Sequence, residues 1–325
     1  MLVAFVPRGN TLERVPVPEG TPVPAGATWL DLYSPTVAED RAVEAAFGVA
    51  VPTREEMAEI EPSSRLYIEN NARVMTATLL FNSQTERPSI TPVTFILAGN
   101  RLITVRYEEP KPFAIVGAKL ARACPAGVTG EMIMIDLLDA IIDRAADVLE
   151  RAAADVEVIS RRIFERRGAR DDPKQSYQAI LRSIGRKGDL TSKIRESLVS
   201  IGRLVLFLAN EAEGMKLPRD QRAQVKSMAR DVFSLTDHST FLANKITFLL
   251  DATLGMVSLE QNNVIKIFSV VAVALMPPTL IASIYGMNFQ FMPELHWTYG
   301  YPAALVLMLA AAVAPYMYFK WKKWL

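Results

Sequence analysis

The chain has 325 residues, and its 36 Lys and Arg against 35 Asp and Glu give a formal net charge of +1 at pH 7. This balance excludes nucleic-acid binding that is driven by a large positive charge. Cys124 is the only cysteine, which excludes a disulfide framework and a zinc site built from cysteines. The N-terminal residues lack the basic segment and apolar run of a signal peptide, so we expect about the first 260 residues to stay in the cytoplasm.

Residues 1–128 have the short alternating segments of a cytoplasmic α/β domain. Short strands are expected over residues 3–6 and 29–32. Two hairpins are expected around Asn70 and Gly99, because Asn and Gly tolerate the positive φ of tight turns. The paired hairpin segments are residues 65–69 with 73–81, and residues 93–97 with 102–107.

Two helices accompany these strands. The first is expected over residues 37–47, with Ser34 or Thr36 as its N-cap and Gly48 as its end. The second is expected over residues 111–123. Strands and helices of this length and order indicate a domain in which helices pack against a sheet.

Long helices follow the α/β domain. Apolar residues at helical spacing predict one helix over residues 132–166 and a second over residues 174–213, separated by Gly168 and the Asp-Asp-Pro of residues 171–173. A third helical piece is expected to end near Val232. Together these helices form a predicted cytoplasmic long-helix region over residues 129–236.

A further helix is expected to restart in the polar cluster of residues 234–240, where Asp237 or Ser239 provides a cap. From there to Tyr285 the sequence predicts one continuous helix. At about 1.5 Å per residue it extends ~70 Å, far more than a bilayer. We therefore expect its first part, residues 237–266, to stand in the cytoplasm as a stalk.

Two uncharged runs, residues 267–293 and 297–319, are each long enough to cross a bilayer. They predict a C-terminal membrane hairpin. Its parts are a first span over residues 267–288, an external loop over residues 289–299, a second span over residues 300–319 and a basic tail over residues 320–325.

The distribution of lysines predicts the orientation of this hairpin. Lys245 and Lys266 precede the first span, Lys320, Lys322 and Lys323 follow the second, and the loop between them has no Lys or Arg. By the positive-inside tendency, both chain ends face the cytoplasm and the loop faces outside.

The polar tripeptide Gly286-Met287-Asn288 ends the first span at its outer mouth. Two spans cannot enclose a pore, so any channel needs several chains around an axis. Gly286 lets the backbone turn and exposes carbonyls, and the Asn288 amide oxygen can accept hydrogen bonds from the water shell of a cation. Mg²⁺ keeps several of its waters, so a ring of neutral acceptors suits hydrated Mg²⁺. The alternative is a plain helix end and turn.

Other residues of the hairpin and stalk fit the same hypothesis. Glu294 places a negative charge near the outer mouth, which concentrates cations there. Side chains at spacings of three and four form a seam along the helix, and several of them are polar, which suits a helix that lines a wet axis. The seam comprises Asp251, Leu254, Ser258, Gln261, Ile265, Phe268, Ala272, Met276 and Thr279.

Several segments resemble the CorA family of divalent-cation transporters, in particular its proteobacterial members. They are Glu-Gln-Asn at 260–262, Ile-Lys-Ile-Phe at 265–268, Met-Pro-Pro-Thr-Leu at 276–280, Tyr-Gly-Met-Asn at 285–288, Phe-Met-Pro-Glu-Leu at 291–295, Gly-Tyr-Pro at 300–302 and the Lys-Trp terminus. The strong similarity covers about residues 230–325, and the order of domains matches over the whole chain.

The resemblance implies an α+β membrane protein of the bacterial inner membrane that forms a funnel-shaped homopentamer. It implies uptake of hydrated Mg²⁺, and also of Co²⁺ and often Ni²⁺, with no organic cofactor and no nucleic-acid partner. Gly286, Met287 and Asn288 are its selectivity filter. Thr279, Met276, Ala272, Phe268 and Ile265 line its pore, with Asp251 near the inner end. Gln290 departs from the family, which often has an acidic residue there.

The resemblance also implies regulation by intracellular Mg²⁺ bound between acidic residues of neighbouring cytoplasmic domains. Asp231 best matches one sensor carboxylate, and the acids between Glu55 and Glu61 are candidates for its partner. An acidic row on the first long helix could attract cations, although a solvated helix face is the simpler interpretation. This row comprises Asp136, Asp139, Asp143, Asp147 and Glu150.

Two other functions are considered. A zinc transporter of the same superfamily, coupled to protons, keeps the tripeptide but usually follows it with a glycine-containing loop, so the Met-Pro-Glu-Leu of residues 292–295 argues against it. A membrane-anchored scaffold or signalling protein would need neither Asn288 nor a polar stalk. The sequence has no phosphate-binding loop, nucleophile–base pair or cofactor fingerprint, so an enzyme is not expected.

The membrane potential is sufficient to drive ion uptake without a nucleotide. A potential of 100 mV, negative inside, is worth ~4.6 kcal/mol for a divalent ion.

Overall fold

The structure is a computed structural model that describes residues 1–85, 87–164, 176–288 and 292–322, without the side chains of residues 294 and 295. It contains two compact units, Met1–Leu250 and Asp251–Leu325. The first holds the sheet and most of the helices, and the second holds the apolar helices. The α/β domain, the long helix and the two C-terminal apolar helices are the architecture that the sequence predicted.

A seven-stranded sheet forms the centre of the first unit, with strand order β2-β1-β3-β7-β6-β5-β4. Neighbouring strands are antiparallel except β3 and β7, which are parallel. The strands are β1 (Leu2–Arg8), β2 (Thr11–Val17), β3 (Trp29–Tyr33), β4 (Leu66–Glu69), β5 (Ala72–Phe81), β6 (Ser89–Ala98) and β7 (Arg101–Arg106).

The two predicted hairpins and the two predicted short strands are confirmed. Asn70 and Asn71 both have positive φ in the β4–β5 turn, and Gly99 has positive φ in the β6–β7 turn. The edge strand β2 was not predicted. Its Pro16 and its charged residues are untypical of a central strand, but they are tolerated where one side of the strand pairs with nothing.

Side chains alternate between the two faces of the sheet, and each face carries its own buried core. Phe5, Trp29 and Phe95 belong to one core, which includes most buried residues of the long helices. Leu2, Leu30 and Leu32 belong to the other core, with residues of the short helices. The sheet is therefore covered on both faces by helices of its own chain.

The helices of the chain are α1 (Val37–Phe47), α2 (Arg54–Ala58), α3 (Pro62–Arg65), α4 (Lys111–Arg122), α5 (Gly130–Phe164), α6 (Tyr177–Glu211), α7 (Arg219–Tyr285) and α8 (Gly300–Trp321). The predicted ends of α1 are confirmed: Thr36 forms a capping box with Glu39, and Gly48 ends the helix at φ 67°. Helices α4, α5 and α6 are also confirmed. The predicted break between α5 and α6 lies outside the described residues.

Two serines of α6 bind the backbone of β5 beyond the short segment that pairs with β4. The Thr78 amide donates to Ser200 Oγ at 2.9 Å, and the Leu80 amide donates to Ser197 Oγ at 3.2 Å. Buried amides need partners, so these hydroxyls replace the missing strand. They fix the position of α6 along β5.

Helix α7 runs without a break from Arg219 to Tyr285, so the predicted restart at residues 234–240 is wrong. Ser239, one of the two expected caps, instead donates through its Oγ to the Thr236 carbonyl of the same helix at 2.7 Å, and the neighbouring threonines also bond back within the helix. Thr236 Oγ1 donates to the Val232 carbonyl at 2.7 Å, and Thr240 Oγ1 donates to the Thr236 carbonyl at 3.0 Å. The polar cluster is thus accommodated inside the helix.

Within the described part of the chain, α7 and α8 are the helices long and apolar enough to cross a membrane. In the most apolar stretch of α7, no residue is buried by the rest of the chain. The predicted domain and span boundaries, at residues 128, 236, 266, 288, 299 and 319, stay predictions.

A buried ion pair joins β3 to β7 in the first unit. Arg106 donates to Asp31 through Nη2 at 2.8 Å and through Nε at 3.0 Å, and Thr104 Oγ1 donates to the same carboxylate at 2.8 Å. The guanidinium lies 4.8 Å from the ring centre of Tyr33 and 5.0 Å from that of Phe113. Asp31 and Arg106 therefore find their partners inside the domain, and the pair has a structural role.

We expect Asp31→Ala to lower the free energy of unfolding by about 3–5 kcal/mol, because Arg106 is then buried without its partner. Glu13→Ala, which removes the exposed pair with Arg8, should cost less than about 1 kcal/mol. The thermal unfolding midpoints of the full-length variants measure the difference. Equal midpoints would contradict a structural role for the buried pair.

Candidate functional site

The tripeptide Gly286-Met287-Asn288 continues directly from the end of α7. The Gly286 amide donates to the Ala282 carbonyl at 3.0 Å, and the Met287 amide donates to the Ile284 carbonyl at 3.2 Å. Gly286 is not among the glycines with positive φ. A Cβ added at this glycine would lie 3.2 Å from the Ala282 carbonyl oxygen. The glycine therefore allows a close approach to the preceding turn of the helix, without a positive φ.

The side chains of Met287 and Asn288 are exposed at this helix end. Within the described part of the chain, no hydrogen bond uses the Asn288 amide. An exposed primary amide offers one acceptor oxygen and two donor hydrogens. Asn288 can therefore bind water, or the water shell of an ion, without breaking an internal contact.

The predicted outer loop is only partly described. Gln290 lies outside the described residues. Glu294 lies in a 3₁₀ helix, Pro293–His296, and its side chain is also outside the description. Its role in attracting cations stays a prediction.

The predicted pore-lining residues are all exposed on the single chain. Ile265 is 53% exposed, Phe268 71% and Met276 69%, although these side chains are large and apolar. By helical geometry the set lies within an arc of about 100° on one face of α7. The chain itself leaves this face uncovered, so other chains, lipid or water must meet it. The six residues are Asp251, Ile265, Phe268, Ala272, Met276 and Thr279.

Polar groups on this face of α7 are partly satisfied within the helix. Thr279 Oγ1 donates to the Leu275 carbonyl at 2.7 Å, and Ser258 Oγ donates to the Leu254 carbonyl at 3.1 Å. The acceptor positions of both hydroxyl oxygens remain available to water. Next to Thr279, Pro277 and Pro278 lie inside the helix, where each removes one amide donor.

Asp231 lies near acidic residues of α5. Burial raises the pKa of Asp139, and the neighbouring carboxylates of Asp143, Asp136 and Asp231 raise it further, against the opposing effect of Lys119. Lys119 Nζ binds Asp136 at 2.8 Å. The structure thus associates Asp231 with the acidic row of α5, which sequence analysis interpreted as a solvated face.

No group of three or more Asp, Glu, His or Cys side chains in the described ranges is arranged to hold a metal ion within one chain. The pairing of Asp231 with an acid between Glu55 and Glu61 remains untested. Sequence analysis missed the proximity of α5 and Asp231, because the two segments are far apart in the chain and no local pattern connects them.

Comparisons with known proteins agree with this architecture. The family model of the CorA-like Mg²⁺ transporter proteins matches residues 24–322. The magnesium transport protein CorA of Escherichia coli K12 is 36% identical over 325 residues, and that of Yersinia pseudotuberculosis is 35% identical; both alignments cover 100% of each chain. The structure of the CorA magnesium transporter from Methanocaldococcus jannaschii has a TM-score of 0.75 at 15% identity, covering 98% of this chain and 97% of that one. At that identity, the structural match supports the fold alone.

The acidic residues around Asp139 predict that the free energy of unfolding depends on pH. Because the pKa of Asp139 is raised in the folded state, the folded chain binds this proton more tightly than the unfolded chain, and stability falls as pH rises from about 4. We expect Asp139→Asn to raise the free energy of unfolding at pH 7 by less than about 1 kcal/mol, because this carboxylate is only partly buried and solvent screens the repulsion. This gain should disappear below the unfolded-state pKa of about 4.

The matched control is Asp147→Asn on the same helix, because Asp147 lies beside Arg144 and its removal should not stabilise the protein. Thermal unfolding at pH 4 and pH 7 measures both variants. A gain for Asp139→Asn that is independent of pH would contradict the repulsion.

Proposed function

The chain belongs to the CorA family of Mg²⁺ transporters, and from this premise we propose that it is a channel that carries Mg²⁺ into the bacterial cytoplasm. The observation that carries the proposal is the exposed Asn288 amide at the end of a helix whose apolar face is uncovered. A helix of this kind can contribute one wall of a pore, and Asn288 then contributes one acceptor to a ring at its mouth.

The proposed assembly is a funnel-shaped homopentamer in the inner membrane. One chain provides two candidate spans, which cannot enclose a pore, so the pore needs an axis shared by several copies. Beyond Leu250, apolar side chains of α7 are exposed all around the helix, so the helix has surface both for neighbouring copies at the axis and for lipid, and in this proposal α8 faces lipid. Lys245, Lys266, Lys320 and Lys322 support cytoplasmic positions for both chain ends.

Gly286, Met287 and Asn288 form the selectivity filter in this proposal. Neutral acceptors hold the water shell of Mg²⁺ without stripping it, so the ion binds weakly enough to leave. Co²⁺ and Ni²⁺ are carried as ions of similar charge and hydration. The membrane potential drives entry with ~4.6 kcal/mol per divalent ion at 100 mV, and Glu294 concentrates cations at the mouth.

The conduit below the filter combines polar and apolar rings. Thr279 and Asp251 provide polar positions, and Ala272 provides a narrow side chain between them. Ile265, Phe268 and Met276 expose more than half of their surface on the single chain. Rings of such side chains around an axis exclude water and close the channel by dewetting.

Intracellular Mg²⁺ closes the channel by binding at Asp231, between neighbouring chains. The mutual repulsion of Asp231 with the acidic residues of α5 supports this role, because a divalent cation would relieve it. When Mg²⁺ is scarce, the repulsion returns and favours the open state. Mg²⁺ is thus both cargo and regulator, and no organic cofactor takes part.

Mg²⁺ influx into liposomes that contain the purified protein tests the transport proposal. With an imposed negative-inside potential and an internal Mg²⁺ indicator, we expect influx that hexaammine cobalt blocks, because this complex mimics the hydrated ion. Asn288→Ala should reduce the initial rate at least about tenfold, since it removes hydrogen bonds to a charged complex. Asn263→Ala, on the opposite side of α7 from the seam, is the matched control and should transport normally.

Normal influx through Asn288→Ala would contradict the filter role. Influx of Zn²⁺ on a proton gradient, without Mg²⁺ influx, would replace the proposal by a zinc transporter. A folded oligomer that carries no divalent ion would favour a membrane anchor.

Mg²⁺-dependent protection from a protease tests the sensor role of Asp231. We expect Mg²⁺ to protect the wild type, and Asp231→Lys to need at least about tenfold more Mg²⁺, because a positive charge replaces a ligand. Asp237→Lys, an exposed site six residues along the same helix, is the control and should behave as the wild type. Equal Mg²⁺ requirements for the two variants would contradict the assignment.

A further inference from the structure

A basic pocket lies in the first unit between α6, β5 and the segment that leads into β4. We call it the arginine pocket and define it by Arg65, Arg195, Arg203, Glu196, Thr78 and Ser200. Its volume is about 410 Å³. Three of these side chains are positively charged and one is negatively charged, so the lining has a net charge of +2. None of these residues belongs to the proposed ion path.

Arg65 is fixed at the inner wall of this pocket. Its Nη1 donates to Thr78 Oγ1 at 3.0 Å, and its Nε donates to the Glu59 carbonyl. Both partners are neutral, and no described carboxylate forms an ion pair with Arg65. The guanidinium is half-buried, so its direction is set before any ligand arrives, and its remaining N–H groups are free to bind one.

Helix α6 provides the opposite wall. Arg195 and Arg203 are eight residues apart, close to two helical turns, which places them on the same face with Val199 between them. Both arginines are exposed, and neither forms an ion pair with a described carboxylate. Ser200 Oγ accepts from the Thr78 amide at 2.9 Å, which leaves its hydroxyl hydrogen available as a further donor.

Glu196 compensates the positive charges of the pocket only in part. Burial lowers the pKa of Arg65, and the positive charge of Arg203 lowers it further, while Glu196 opposes the shift. Like charges kept close in a partly buried site destabilise one another. An anion in the pocket would remove this repulsion and accept hydrogen bonds from all three side chains.

We propose that the arginine pocket binds a small organic phosphate, such as a nucleotide or a sugar phosphate. A phosphate monoester carries a charge of about −1.5 to −2, which matches the net charge of the lining. The planar guanidinium presents paired donors that fit phosphate oxygens. The volume is within the range of about 300–1,000 Å³ for small-molecule sites, which leaves room for an organic part against the exposed apolar side chains of Ile60 and Val199.

Isothermal titration calorimetry on the full-length protein in detergent tests this proposal, with AMP and ribose 5-phosphate as probes. The buffer contains a chelator, so that metal ions cannot bridge a phosphate to the acidic residues. We expect saturable binding of a probe, at least about tenfold weaker binding of inorganic phosphate, and no binding of adenosine. The double variant Arg195→Gln/Arg203→Gln should bind at least about 100-fold more weakly, because it loses two charge-assisted contacts.

The matched control is Arg182→Gln/Arg222→Gln, which removes the same charge at two exposed sites outside the pocket and should leave the affinity unchanged. Equal losses in both double variants would overturn the site, as would the absence of saturable binding for both probes. Equal affinity for inorganic phosphate would overturn the organic ligand. A smaller oligomer for the pocket variant, without phosphate binding in the wild type, would assign the arginines to a contact between copies instead.

Discussion

The apolar surface of α7 beyond Leu250 has no cover within its own chain, and the behaviour of the second unit depends on this constraint. Phe268 and Met276 expose about 70% of their surface, and each large apolar side chain gains about 1.5–3 kcal/mol when it is removed from water. A bilayer can cover one side of such a helix, and identical neighbouring helices can cover the other. The proposed assembly and its apolar gate therefore both answer this unmet requirement for burial, and neither can form in an isolated chain.

The first unit, in contrast, buries its apolar surface within its own chain, because its helices cover both faces of its sheet. Helices α5 and α6 bury one face, the short helices bury the other, and the Asp31–Arg106 pair is enclosed between strands. Two groups of charges remain exposed on this unit: the acidic residues near Asp139 on α5 and the guanidinium groups beside Arg203 on α6. Charges of both signs that are only partly compensated, on a well-packed scaffold, suit the recognition of ions, and the two proposed sites would bind ions of opposite sign.

Sequence analysis predicted those parts of the chain that local chemistry determines. Thr36 and Gly48 fix the ends of α1 through their own backbone contacts, and the absence of charge over about 20 residues is sufficient to indicate a span. It failed where one residue type has two uses: the hydroxyls near Thr236 can start a helix or bond back within one, and only the surrounding packing decides. It also gave no sign that Asp231 lies near α5 or that Arg65 lies near Arg203, since these contacts join distant segments. The tripeptide was recognised because its flanking segments resemble a family, whereas its exposure required the structure.

The two prolines inside α7 have a consequence for how the first span bends and hydrates. Pro277 and Pro278 have no amide hydrogen, so the carbonyl oxygens of Val273 and Ala274 lack the donors that an unbroken helix supplies. In hydrocarbon an unsatisfied carbonyl costs several kcal/mol, so water or a donor from a neighbouring chain has to reach the helix at this depth. Because two backbone hydrogen bonds are missing at this point, the helix also bends more easily there than elsewhere. Bending at Pro277 and Pro278 would therefore move the short segment that ends at Asn288 while the helical hydrogen bonds on either side of the prolines stay intact.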